Sequence, residues 1–180
     1  MKKIMLILII LSVTASLPCL TSPLAAAETW TARTGLNGTP GLVFNRTWDP
    51  GFNGTAMTFT LQHQSDALIF EAGVEAGYSY TGLNLLFPIQ AGLIIIEGKT
   101  LQFSVTAALM PGLIISRPAP YFLMAAELAA RLTWAVNPGF NLSLSAGPRY
   151  TTSPDYSAAV APLELIDLTI GLAAGFVLGK

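Results

Sequence analysis

Very little of this sequence can ionise, oxidise or hold a metal. Of 180 residues one is cysteine, one is histidine, and only 11% are Asp, Glu, Lys or Arg. Ordinary soluble domains carry roughly a quarter charged residues. A single His and a single Cys leave no ligand set for a metal centre, so neither a metal nor another cofactor is expected. No basic patch is present, which argues against nucleic acid as a partner. An apolar run long enough for a membrane helix, about 20 residues, is also missing.

What the chain has in quantity is apolar side chains, 52% of the total. The N-terminus reads as an export signal. Met1-Lys2-Lys3 is a basic start, Ile4 to Val13 a short apolar run, and "SPLAAAETW" offers small residues for cleavage between Ala27 and Glu28. An uncleaved anchor is the alternative. Lipidation at Cys19 is disfavoured by Pro18 immediately before it. The expected organisation is a signal peptide over 1–27 and one domain over 28–180. Without Cys19 the mature domain has no thiol. Removing Lys2 and Lys3 leaves 7 Lys and Arg against 10 Asp and Glu.

Membranes admit helices and closed β-barrels, because each backbone polar group needs a partner. The periodicity here is two. In Ala67–Thr81 the apolar Leu68, Phe70, Ala72, Val74, Ala76, Tyr78 and Tyr80 alternate with Ile69, Glu71, Gly73, Glu75, Gly77 and Ser79. Glu164–Lys180, Phe140–Thr151 and Ala56–Gln64 alternate as clearly. Leu83–Ile96, Leu101–Ile115 and Tyr121–Val136 are weaker, and Leu86, Ile94 and Ile96 fall on the polar set of the first. An opening strand belongs somewhere in Trp30–Asn45, interrupted at "NGTPG". The count is eight strands, joined by short turns at Ser65-Asp66, Thr81-Gly82, Glu97-Gly98-Lys99 and Asn137-Pro138-Gly139, with longer connections elsewhere. Pro40, Pro88, Pro111 and Pro148 each remove a ladder donor and should mark bulges or strand ends. A helical alternative would use Tyr121–Val136 and Leu163–Gly179 as spans.

The expected fold is therefore all-β: an eight-stranded antiparallel up-and-down transmembrane β-barrel following a cleaved signal peptide. In that layout Phe70, Phe103, Trp134, Phe140 and Phe176 face outward near one rim. Tyr78, Tyr80, Phe122 and Tyr150 face outward near the other, as two interfacial girdles. Glu71, Glu75, Glu127, Arg131, Arg149 and Asp167 face inward, with Arg33 a further candidate. The 137–139 turn sets facing residues to sum to 276, which pairs Trp134 with Leu142 and Glu127 with Arg149. Arg131 should then reach across toward Glu71 or Glu75.

This whole-chain pattern resembles the small eight-stranded outer-membrane barrels, the class of the OmpA transmembrane domain, OmpX and OmpW. The resemblance implies an outer-membrane location, lipid and the barrel-assembly machinery as partners, and surface loops with partners of their own. The chain departs from the class at its end, "FVLGK", where an aromatic residue usually stands. The expected role is structural or surface-interacting, with the lumen plugged by the charges. A narrow passive channel or a small-ligand barrel is the alternative, suggested by many tiny inward residues. "HQSDA" (63–67) is similar to the His-x-Ser-Asn segment of lipid A deacylase barrels, which would give His63 and Ser65 base and nucleophile roles. Against it stands an interfacial His beside a hairpin turn, and no catalytic residue is expected.

Overall fold

The computed structural model describes residues 28–39, 54–79, 82–115, 120–157 and 162–179. The proposed signal segment, Pro40 and Tyr80 lie outside them. The strands are β1 (Thr29–Thr39), β2 (Gly54–Ser65), β3 (Leu68–Ser79), β4 (Gly82–Leu86), β5 (Ile89–Glu97), β6 (Leu101–Ile115), β7 (Tyr121–Asn137), β8 (Phe140–Ser157) and β9 (Pro162–Gly179). All pairings are antiparallel, between sequence neighbours except that β3 pairs with both β4 and β5 and β6 with both as well, and β9 pairs with β1 to close the sheet. Closure matters because it removes sheet edges.

Nine elements make eight strand positions. On β3, Glu75 faces Leu86 and Ala72 faces Ile89; on β6, Gly112 faces Leu86 and Leu109 faces Ile89. Both neighbours keep one register across Phe87-Pro88, so β4 and β5 are one spanning strand broken at a proline. Pro88 thus ends a strand, as a missing donor demands. Pro111 and Pro148 do not: they sit inside β6 and β8, opposite Met124 and Leu168. Pro111 is tolerated because its nitrogen faces the break at Phe87. At Pro148, the β7–β8 pairing lapses between Glu127–Arg149 and Ala130–Ala146.

Two further expectations need correction. The first strand runs unbroken through Asn37, Gly38 and Thr39. Gly35 is required there, since a Cβ would lie 2.8 Å from the Ala173 Cβ. Asn37 is held in the strand by donating to Glu75 Oε2 at 2.9 Å. Ile96 turns outward rather than inward. A bulge between Ile94 and Ile96 leaves Ile95 and Ile96 both exposed, at 50% and 63%. A bulge adds one residue, so every later side chain changes face.

Burial is inverted relative to a soluble domain. Buried groups include Arg33, Gln62, Glu71, Glu75, Arg131, Arg149 and Asp167, while Phe59, Phe70, Leu144, Leu172 and Phe176 are exposed. Among the described residues no helix is long and apolar enough to cross a membrane. The segments of the helical alternative are the strands β7 and β9, which overturns it.

Candidate functional site

The candidate site is the lumen. Alternation on β3 sends Glu71 and Glu75 inward four residues apart, and β7 does the same with Glu127 and Arg131. The β7–β8 register places Trp134 opposite Leu142 on the outer wall and Glu127 opposite Arg149 inside. These residues gather into two groups.

The first is built on Glu71. Arg131 Nη1 donates to Glu71 Oε2 at 2.8 Å, and Arg33 Nε lies 3.7 Å from Oε1. Thr60 adds a hydroxyl donor to the same carboxylate. Gln62 Oε1 accepts from Arg33 Nη1 at 2.7 Å and Arg131 Nη1 at 3.2 Å. Arg33 also donates to Ser143, and Arg131 to Gln90 Oε1 at 3.2 Å. Two guanidiniums thus share one carboxylate, and the neutral oxygens of Gln62, Gln90 and Ser143 accept the remaining bonds.

The second is built on Arg149. Its Nη1 and Nη2 donate to the two oxygens of Glu75 at 2.6 and 3.0 Å, and its Nε donates to Glu127 Oε2 at 2.7 Å. A fork holding one carboxylate with two parallel bonds is the strongest arrangement available to such a pair. Asp167 is the cross-strand neighbour of Arg149 on β9. The two groups tie β1, β2, β3, β5, β7 and β8 together across the interior.

The tiny inward residues do not open a passage by themselves. A Cβ on Gly147 would fall 1.9 Å from the Leu128 carbonyl oxygen, and one on Gly73 2.1 Å from that of Phe59. At Gly171 the space is taken by Asn37 and Ser145, and at Gly175 by Asn141. These glycines admit a neighbouring strand or a crossing polar side chain.

Sequence reasoning missed Gln62, Gln90, Thr60, Asn37 and Ser143 as partners of the charges. Gln62 and Thr60 had a readable signal in their parity on β2. It also missed that one sector of the lumen is apolar: Leu86, Ala108, Met110, Ile114, Leu123 and Ala125 cluster there, with Tyr121 against them.

On the outer wall, Phe70, Tyr78, Phe122, Trp134, Tyr150 and Phe176 are exposed, and Phe103 and Phe140 are half-buried. The Phe140 and Phe176 rings lie 5.2 Å apart. His63 packs its ring 4.5 Å from Trp30, and Ser65 is the last residue of β2. His63 is therefore half of an aromatic pair on the wall.

Gln62 offers a direct test of the Glu71 group. Gln62→Met keeps the side-chain length and removes the shared acceptor. It is expected to lower unfolding free energy by roughly 1–3 kcal/mol, the cost of buried donors left unpaired, read by urea titration in detergent. No change would mean that the arginines find other acceptors at no cost.

No family model and no curated protein matches the sequence. Solved structures do match in shape. The crystal structure of Neisserial surface protein A (NspA) superposes with a TM-score of 0.54 at 10% identity, over 84% of this chain and 97% of that one. A de novo designed transmembrane β-barrel gives 0.43 at 13% identity, over 82% and 94%. The designed barrel TMB2.3, solved by solution NMR, gives 0.42 at 14% identity, over 85% and 96%. With closure, strand count and inverted burial already established, the chain has the fold of the small eight-stranded outer-membrane β-barrels.

Proposed function

We propose that this chain is exported by its N-terminal segment, cleaved after Ala27, and inserted in an outer membrane as a non-conducting barrel. Its role is structural or surface-interacting, through the connections at the rim opposite the tight turns. Lipid contacts the outer wall, and the assembly machinery of that membrane inserts it. The observation that carries this reading is the inverted burial: an apolar exterior around a lumen crossed by linked ion pairs. Exposing so much apolar surface to water is unfavourable, whereas hydrocarbon accepts it. Eight strands enclose just enough room for side chains, and here those side chains include two braced groups of charges. The shared fold with a protein named for its surface location adds support.

The test is electrical and spectroscopic. The purified protein in detergent is expected to give a β circular dichroism spectrum and heat-modifiable gel mobility, and to pass no current in planar bilayers. Steady single-channel conductance in the wild type would replace the plug with a channel. A protein soluble without detergent would remove the membrane reading altogether.

A further inference from the structure

The wall has a defect at Phe87-Pro88. In an antiparallel ladder, residues of a hydrogen-bonded pair exchange two bonds. Phe87 N donates to the Pro111 carbonyl at 2.8 Å, and Gly73 N donates to the Pro88 carbonyl at 3.1 Å. The return bond of each pair needs an N–H on Pro111 and on Pro88, and proline has none. Both pairs are therefore held by one bond where two are usual. They lie on consecutive residues of one strand, on its two opposite edges. At this level the strand formed by β4 and β5 is weakly attached to β3 and β6 at once.

On the β6 side the surroundings of the defect are apolar within and without, whereas on the β3 side the inward neighbours are Glu71 and Glu75, opposite Gln90 and Leu86. Outside lie the exposed Val74, Phe87, Ile89, Leu109 and Leu113. Inside lie the buried Leu86, Ala108 and Met110, continuous with Ile114, Leu123 and Ala125. The β3 side, like the wall at Arg149 and Arg131, backs onto carboxylates and arginines, and opening it there would bring ions to hydrocarbon, at a cost of several kcal/mol per ion. Parting the strand from β6 at Phe87 and Pro111 exposes apolar groups to apolar surroundings.

We infer that the Phe87–Pro111 edge of this strand, against β6, is a lateral portal through which a hydrocarbon chain of the surrounding lipid reaches the apolar sector of the lumen. The inference rests on the reading of this chain as a membrane barrel. The axial path stays braced by the Glu71 and Arg149 groups, so the portal and the closed pore coexist.

The protein is reconstituted in phosphatidylcholine vesicles in a Cys19→Ser background, and hydrogen exchange is measured first. Amides of Gly73 and Phe87 are expected to exchange at least tenfold faster than those of Leu144 and Leu172. Pro111→Ala, which supplies the donor missing opposite Phe87, should slow the Phe87 amide severalfold. Equal protection at all four positions, or a Phe87 rate untouched by Pro111→Ala, would overturn the portal. Met110→Cys then reports access. A long-chain alkyl maleimide dissolved in the bilayer should modify it at least tenfold faster than a charged maleimide in water. A Leu85→Cys/Leu113→Cys disulfide across the β4–β6 edge should abolish the reaction. Leu85 and Leu113 lie two residues from the hydrogen-bonded Phe87–Pro111 pair and belong to the same class, whose Cα spacing of about 5.5 Å permits a disulfide. An inserted, heat-modifiable protein with an inert Met110→Cys refutes the portal alone. A protein that fails to insert refutes the membrane reading beneath it.

Discussion

Replacing Arg149 by alanine is expected to cost about 3–5 kcal/mol of folding stability, the range found when one partner of a buried ion pair is removed. The reason is what remains. Glu75 loses both bonds of its fork, at 2.6 and 3.0 Å, and Glu127 loses one at 2.7 Å, so two carboxylates are stranded in the interior. Equilibrium urea unfolding in detergent micelles reads the loss. The triple variant Arg149→Met, Glu75→Gln, Glu127→Gln removes the charges together and should recover most of it, because a buried pair is worth little against neutral packing. Arg149→Lys should fall between, keeping the charge and losing the fork. A loss under about 0.5 kcal/mol for Arg149→Ala, in the range of ordinary surface changes, would mean that water reaches these carboxylates and that the lumen is open.

The second large effect belongs to the outer wall. Leu132, Leu144 and Leu172 face one another in register across β7, β8 and β9, and Leu144 is 52% exposed. In water, replacing so exposed a leucine by arginine would cost little. In a bilayer, Leu144→Arg is expected to cost about 2–4 kcal/mol, while Leu178→Arg, near the rim, should cost about 0–1 kcal/mol. The gradient with depth is the signature, measured by unfolding from lipid vesicles. Equal tolerance at both positions would count against hydrocarbon on this face.

The portal and the plug make different demands on the same lumen. Glu75, the carboxylate of the Arg149 fork, lies opposite Leu86, next to Phe87 of the seam, so Pro111→Ala and Arg149→Ala act on neighbouring parts of one wall. Their stability effects should therefore depart from additivity, as they do for sites that share a neighbour, here Leu86.

The sequence by itself determined the strands that alternate cleanly, the parity of nearly every side chain, and the pairing of Glu127 with Arg149. The physical reason is local: period two is written residue by residue, and a tight turn fixes the register of its own hairpin. It could not determine which arginine crosses to which carboxylate, because that depends on curvature and closure of a sheet whose facing walls are far apart in sequence. Arg131 and Glu71 are 60 residues apart. Nor could it settle the backbone's exceptions. The bulge that turns Ile96 outward, the strand that continues through Asn37 and Gly38, and the two prolines that meet at one seam are decided by neighbouring strands. Only the assembled wall says whether a missing donor or an extra residue has somewhere to go.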